Sequence, residues 1–100
     1  MDIKIQSVNF TADQKLLDLI ENKLNKLGKI FDRITRIEVF LKVDSQSQHI
    51  KDKVVSIRCN VPGNQFFAEE SSKSFESGAD QAANALKRQI KRYKEKRRGV

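Results

Sequence analysis

Residues 36–43 have the sequence RIEVFLKV, in which apolar and polar side chains alternate. Successive side chains of a strand point to opposite faces of a sheet, so Ile37, Val39 and Leu41 would share one face. The sequence VSIRCNV at residues 55–61 repeats this alternation. Both segments therefore predict strands that are buried on one face, and the other elements can be placed around them.

Short segments on either side extend the predicted sheet. In residues 3–8, Ile3 and Ile5 alternate with polar neighbours and predict a first strand. Downstream, Pro-Gly-Asn at residues 62–64 matches a tight turn, in which Pro fixes φ and Gly accepts a positive φ. This turn predicts a hairpin into a last strand over residues 65–70.

A helix is predicted over residues 12–27, where apolar side chains recur at spacings of three and four. Thr11 is followed three residues later by Gln14, which is the pattern of a capping box. Gly28 follows the last apolar residue of this stripe, at a position where a left-handed residue often ends a helix. We therefore expect Thr11 to start the helix and Gly28 to end it.

A second helix is predicted over residues 75–95, which carry one continuous apolar stripe, and Ser74 is its expected N-cap. The helix between strands one and two makes those strands parallel through a right-handed crossover, whereas hairpin-linked strands are antiparallel. The predicted fold class is α+β. It is a single β-α-β-β-β-α domain, with a four-stranded mixed sheet and two helices on one face.

The net charge of +7 is concentrated at one end of the chain. Residues 1–86 carry twelve Lys or Arg and twelve Asp or Glu, whereas residues 87–100 carry eight cations against Glu95. The eight cations are Lys87, Arg88, Lys91, Arg92, Lys94, Lys96, Arg97 and Arg98. A neutral body with one basic end predicts a polyanionic partner, most commonly nucleic acid. A basic end that only aids solubility and complements the helix dipole is the alternative.

The first helix adds a second basic strip, made of Lys23, Lys26 and Lys29, with Arg33 just beyond it. Their spacing places at least two of them on one surface, although unrelated solvated lysines are an alternative. Bases of single-stranded RNA are usually read by aromatic residues on a sheet, and the sequence contains no basic-aromatic motif of that type. We therefore expect structured RNA to be bound through its shape and its phosphates.

The sequence contains no recognisable arrangement of catalytic or metal-ligating residues. His49 lies in a polar segment without triad or metal-site spacing, and Cys59 falls on the inward face of a strand. Glu69 and Glu70 are adjacent and would point to opposite faces. We expect no enzyme activity, no cofactor and no metal. A single cysteine, no export signal at the N-terminus and no apolar segment that could span a bilayer favour a cytoplasmic protein.

Three segments, taken in order, resemble a known family. They are KLNKLGKIFDRI at residues 23–34, VFLKV at residues 39–43 and LKRQIKRYK at residues 86–94. Over essentially the whole chain they resemble the ribosome hibernation-promoting factor family, also called the ribosome-associated inhibitor or sigma-54 modulation family. The resemblance implies a fold like a double-stranded-RNA-binding domain. It also implies a bacterial protein that docks in the small ribosomal subunit, where messenger and transfer RNA would lie, and inhibits translation in resting or stressed cells.

The resemblance also implies roles for individual residues. Residues that match basic family positions expected to face ribosomal RNA are Lys23, Lys26, Lys29, Arg88, Lys91, Arg92 and Lys94, and Asp80 matches an acidic position. The expected organisation is a ribosome-binding domain at residues 1–95 and a basic C-terminal tail at residues 96–100. Off the ribosome we expect a monomer, with no small-molecule substrate and no membrane contact.

Two departures from the family pattern bear on the structure. Ser-Phe-Glu stands at residues 74–76 where the family usually has Asp-Met-Tyr, and Ala79 and Ala82 follow where bulkier apolar residues are usual. We therefore expect the last helix to pack closer to the sheet. The chain also resembles the short members, which lack the second domain with which long members pair ribosomes, so we do not expect it to pair ribosomes by itself.

Two other functions are open from the sequence. The basic helix could bind an acidic protein partner, as a regulator of protein interactions, which the family's sigma-factor name suggests. It could also lie on a membrane surface, although its apolar stripe is rich in alanine and would be used by the core. Ribosome binding through ribosomal RNA phosphates is the first hypothesis.

Overall fold

The computed structural model describes residues 1–44 and 51–98, except for the side chain of Arg98. The elements are β1 (Asp2–Val8), α1 (Gln14–Ile30), β2 (Arg36–Val43), β3 (Lys53–Val61), β4 (Asn64–Ser72) and α2 (Phe75–Arg98). This order confirms the predicted β-α-β-β-β-α domain of the α+β class. The polar segment predicted around His49 lies outside the described residues.

The four strands form one mixed sheet in the order β1-β2-β3-β4. β1 runs parallel to β2, with Ile3 opposite Ile37 and Ile5 opposite Val39. The pairs β2–β3 and β3–β4 are antiparallel. Gly63 in the β3–β4 turn has a φ of 77°, as the Pro-Gly-Asn sequence predicts, because glycine adopts this left-handed conformation without a steric penalty.

The core lies between one face of this sheet and both helices. The fully buried residues of β2 and β3 are Ile37, Val39, Leu41, Val55, Ile57 and Cys59. α1 adds Leu16, Ile20, Leu24 and Leu27, and α2 adds Ala79, Ala82, Leu86 and Ile90. Both helices therefore cover the same face, as predicted, because each has one apolar stripe that a shared core buries. Among the described residues, neither helix is long and apolar enough to cross a bilayer.

Small residues bring the first turns of α2 against the sheet. A Cβ atom added at Gly78 would lie 2.9 Å from Cγ2 of Val55, which is fully buried in β3. Phe75 holds the first turn by stacking on Phe10, with ring centroids 4.9 Å apart. The first turns of α2 therefore lie close to β3, where no side chain fits at position 78 without displacing Val55.

The start of α1 differs from the prediction. Its N-cap is Asp13, whose carboxylate accepts a hydrogen bond of 2.9 Å from the Leu16 N–H. The capping box predicted from Thr11 and Gln14 is wrong, and the Gln14 amide instead donates to Asp18. An Asp at this position satisfies an orphan N–H and also places a negative charge at the positive end of the helix dipole.

The end of α1 also differs, because the helix continues through Gly28 to Ile30. The Phe31 N–H donates to the Leu27 carbonyl at 3.0 Å and closes the last turn. Phe31 packs against the core, and this contact stabilises the two helical residues beyond Gly28. Reading Gly28 as the end of the helix was therefore wrong.

α2 starts as predicted, since the Ser74 hydroxyl accepts a hydrogen bond of 3.1 Å from the Ser77 N–H. The helix is continuous through Arg98, beyond the end predicted at residue 95. Residues 96–98, which we assigned to a basic tail, are therefore helical. Lys and Arg are good helix formers, and a cation in the last turn complements the helix dipole.

Gly78→Ala should destabilise the fold, although alanine is the better helix former. The added methyl group would overlap the short, buried Val55 side chain, and this overpacking should outweigh the gain in helix propensity by about 1–2 kcal/mol. Urea denaturation measures the change. Gly28→Ala is the matched control, because its Cβ would meet only the flexible Met1 side chain and should stabilise α1 by up to about 1 kcal/mol. Equal effects of both substitutions would contradict the close approach of α2.

The Cys59 thiol should be unreactive in the folded protein. Burial raises its pKa from 9.0 to about 11, because a thiolate is disfavoured away from water. A thiol reagent at pH 8 should therefore label the chain in urea but not in buffer. Because the unfolded chain ionises first, the free energy of unfolding should fall as pH rises from about 9 to about 11. Rapid labelling of the folded chain would contradict this burial.

Candidate nucleic-acid interface

A groove runs between the exposed flanks of α1 and α2. Its lining residues are Lys23, Lys26, Leu27 and Ile30 from α1, with Asp80, Ala83, Asn84 and Lys87 from α2. The groove continues along α2 past Lys91, Lys94 and Glu95, again with Ile30 on the α1 side. The two basic strips that the sequence predicts separately thus meet on one surface, which we call the basic groove.

Helical periodicity places these cations on the groove. Leu86 and Ile90 are fully buried in the core, so Lys87 and Lys91 follow one residue later, turned by about 100° toward the flank. Lys94 is three residues after Lys91 and returns to the same side. In α1, Lys23 and Lys26 each come one residue before a buried leucine of its stripe, so they are also turned by about 100° away from the core. A stripe that fixes the core therefore also fixes where its charged neighbours lie.

An ion pair crosses the groove and joins the two helices. Lys23 Nζ lies 2.9 Å from Asp80 Oδ1, with the two side chains 28% and 57% exposed. An exposed pair of this kind contributes between about 0 and 1 kcal/mol of stability. Its main effect is on charge, because Asp80 neutralises Lys23 at one end of the groove. Within residues 1–44 and 51–98, Lys26, Lys87 and Lys91 have no such carboxylate partner.

Two further cations are held by contacts at the other end of the groove. Lys94 Nζ donates to the Ile30 carbonyl at 2.9 Å, which satisfies one of the orphan carbonyls at the end of α1. Arg97 donates to the Tyr93 hydroxyl at 2.8 Å, and its guanidinium lies 5.6 Å from the centroid of the same ring. These contacts fix both charges in place without neutralising them.

Arg88 and Arg92 lie outside the groove lining, on the exposed outer side of α2. Each follows a groove lysine by one residue, so it is turned by about another 100° around the helix. Gln89 lies further round and donates to the Phe67 carbonyl of β4 at 2.8 Å. The cations of α2 therefore lie on two sides of the helix: Lys87, Lys91 and Lys94 on the groove side, and Arg88 and Arg92 on the outer side.

The other predicted site residues are distributed around this surface. Lys29 and Lys96 are exposed and lie outside the groove lining. Arg33 and Arg97 line a separate recess with Phe31 and Lys94. The side chain of Arg98 lies outside the described residues. The structure thus brings five of the predicted site lysines together in the groove: Lys23, Lys26, Lys87, Lys91 and Lys94. The arginines extend the basic surface beyond the groove.

Some lining residues were not expected from the sequence. Ile30 lies on the groove because α1 continues past Gly28, and its spacing of three from Leu27 is the signal that could have placed it. Asn84 is an exposed residue of α2 with no distinctive sequence pattern. In the part of the chain that the structure describes, no group of three or more His, Cys, Asp or Glu side chains could hold a metal ion.

Comparison with known proteins identifies related chains. A family model described as Sigma 54 modulation protein / S30EA ribosomal protein matches residues 3–98. The ribosome hibernation promoting factor of Pseudomonas putida KT2440 is 27% identical over 100 residues, covering 100% of this chain and 93% of the relative. The ribosome hibernation promotion factor of Deinococcus radiodurans is 29% identical over 86 residues, covering 86% of this chain and 45% of the relative.

Two solved structures share the fold. A ribosomal subunit interface protein from Coxiella burnetii superposes with a TM-score of 0.83 at 22% identity, covering 95% of this chain and 99% of that chain. The N-terminal domain of Thermus thermophilus Protein Y superposes with a TM-score of 0.79 at 24% identity, covering 93% of this chain and 99% of that chain. The fold of this chain is therefore the fold of both of these proteins.

Asp80→Asn should change the electrostatics of the groove more than it changes stability. The free energy of unfolding should fall by less than about 1 kcal/mol, because both partners of the ion pair are solvent-exposed. Release of Lys23 should move elution from a heparin column to a higher salt concentration. Asp2→Asn removes the same charge from exposed β1 and serves as the control. Equal elution shifts in both variants would show that elution depends only on net charge. That result would contradict local neutralisation of Lys23 by Asp80.

Proposed function

The chain belongs to the Sigma 54 modulation protein / S30EA ribosomal protein family, and we propose that it is a ribosome hibernation factor that inhibits translation in resting or stressed cells. Relatives from two bacterial groups carry the names ribosome hibernation promoting factor and ribosome hibernation promotion factor. The protein would carry out this role in the cytoplasm, where ribosomes are found. The action is binding and not catalysis, with no cofactor and no small-molecule substrate.

In finer detail, the protein binds the small ribosomal subunit through phosphates of ribosomal RNA and occupies the channel of messenger and transfer RNA. The basic groove is the observation that carries this proposal. It brings two lysines of α1 and three lysines of α2 together on one surface, where Lys26, Lys87 and Lys91 have no carboxylate partner among the described residues. Arg88 and Arg92 widen the same basic surface on the outer side of α2.

The electrostatics of the free protein favour such a partner. Like charges at a spacing of four, such as Lys87 and Lys91, disfavour a helix by a few tenths of a kcal/mol per pair. Phosphates between the cations would remove this repulsion and would release counterions from the RNA. Lys94 and Arg97 are already held by neutral groups, so less side-chain freedom is lost when they meet phosphate.

Neutralising the basic surface of α2 should weaken ribosome binding strongly without unfolding the chain. The variant is Arg88→Gln, Lys91→Gln and Arg92→Gln, all at exposed positions, and glutamine is a good helix former. Loss of three charged contacts should weaken co-sedimentation with small subunits roughly a hundredfold, at about 1 kcal/mol per contact. The slope of log affinity against log salt concentration, measured between about 50 and 200 mM, should become shallower by about three. This change corresponds to the loss of three phosphate contacts.

The matched control removes three cations from the open face of the sheet: Lys4→Gln, Lys42→Gln and Arg58→Gln. These residues are also exposed, so both triple variants have the same net charge. The control should keep its affinity within about threefold. Equal losses in both variants would show that only net charge matters, and full binding by a folded α2 variant would overturn the proposed interface.

Nuclease treatment separates RNA binding from the alternative in which the basic helix binds an acidic protein. Complexes captured from resting cells should disperse after digestion of ribosomal RNA, because the phosphates supply the contacts. A complex that survives complete digestion with its partner still bound would favour the protein partner and contradict the proposal.

A further inference from the structure

A recess beside the end of the basic groove combines an aromatic ring with three cations. It is lined by Phe31, which follows α1, by Arg33 before β2, and by Lys94 and Arg97 of α2. We call it the Phe31 recess. Its lining contains no carboxylate, although Asp32 and Glu95 are close in sequence. An apolar ring surrounded only by positive charge suits a ligand that is both planar and anionic.

The ring of Phe31 is held in position by other aromatic residues. Phe31 packs edge-on against Tyr93, with centroids 6.0 Å apart and planes at 76°. Tyr93 packs in the same way against Phe66, with centroids 5.3 Å apart, and Phe66 is buried in β4. This row connects the half-buried Phe31 to the core, so the recess has a rigid floor.

The cations are also positioned, and they keep unused donors. Lys94 Nζ lies 6.0 Å from the centroid of Phe31 while it donates to the Ile30 carbonyl. Arg97 donates one N–H to Tyr93 and retains the rest of its five donors. Arg33 is exposed and has no ion-pair partner within residues 1–44 and 51–98. The rim of the recess can therefore bind a phosphate group while the floor contacts a base.

The recess is continuous with the basic groove. Lys94 lines both of them, with Lys87 and Lys91 on the groove side and Phe31 on the other. Lys87 to Lys94 spans seven residues of helix, or about 10 Å. An RNA strand whose phosphates follow these lysines would reach the Phe31 recess with its next nucleotides.

From this continuity we propose that the Phe31 recess binds one unpaired nucleotide of the RNA that lies in the basic groove. The base packs on Phe31 and the phosphate is bound by Arg33 and Arg97. The inference rests on the proposed binding of RNA at the groove. A base within a duplex has both faces covered by its stacked neighbours, whereas an unpaired nucleotide presents a free face that can stack on the ring. Phe67 is also exposed, but it lies on the open sheet face, away from the groove cations.

Short RNA hairpins test this inference with the full chain. One hairpin ends in a blunt duplex, and two others carry the same duplex with a two-nucleotide overhang on the 5′ or the 3′ strand. Fluorescence anisotropy should show about tenfold tighter binding of one overhang hairpin, which is the expected effect of one base stacked on an aromatic side chain. The same overhang without bases should bind like the blunt hairpin. An overhang without bases that keeps the tenfold gain would overturn base contact in favour of phosphates alone.

Two variants locate the effect. Phe31→Leu keeps an apolar side chain but removes the aromatic face, so the overhang preference should disappear while affinity for the blunt hairpin stays within about twofold. Phe67→Leu is the matched control on the sheet and should keep the preference. A tenfold preference that persists in folded Phe31→Leu, or is lost in Phe67→Leu, would overturn the assignment to this recess.

These readouts separate the recess from the proposed function. Equal affinity of the wild-type chain for blunt and overhang hairpins would overturn the nucleotide site while leaving groove binding intact. Failure to bind ribosomal subunits, with the overhang preference retained, would overturn the ribosome proposal and leave the recess supported as an RNA site. Thermal unfolding of each variant confirms that the compared chains are folded.

Discussion

Two amphipathic helices share one face of a four-stranded sheet, and the position of every cation in the basic groove depends on this packing. Leu24 and Leu27 of α1 and Leu86 and Ile90 of α2 are buried in the same core. Burying one such side chain contributes about 1.5–3 kcal/mol, whereas repulsion between neighbouring lysines costs a few tenths. The core can therefore hold two basic flanks side by side. The free protein therefore has a positively charged surface that a polyanion can neutralise.

Much of this arrangement is encoded in simple periodicity. The alternation in β2 and β3 and the apolar stripes of α1 and α2 are enough to predict the strands, the helices and the shared core, because each pattern has one way to bury its apolar face. The same stripes predict that Lys26, Lys87 and Lys91 lie near the core boundary. That these lysines face each other depends on where α1 lies relative to α2, which no local pattern contains.

The details that the sequence did not predict depend on competition between local signals and tertiary contacts. Thr11 and Asp13 are both acceptable caps, and in the folded chain Asp13 is the N-cap. Gly28 is a typical end of a helix, but packing of Phe31 extends α1 by two residues. The pairs Lys23–Asp80 and Lys94–Ile30 join residues more than fifty positions apart, so their partners appear only when the helices are packed.

These long-range contacts give the surface its shape as well as its charge. Asp80 neutralises one end of the groove, Lys94 is fixed at the other end, and the lysines between them are open to a ligand. Cryo-electron microscopy of the protein on the small ribosomal subunit is the most direct measurement of the central claim. The account predicts phosphate oxygens within about 3 Å of the Lys26, Lys87 and Lys91 amines, with the sheet face turned away from the contacted RNA. A complex in which the groove faces solvent, and the open sheet face contacts ribosomal RNA, would contradict it.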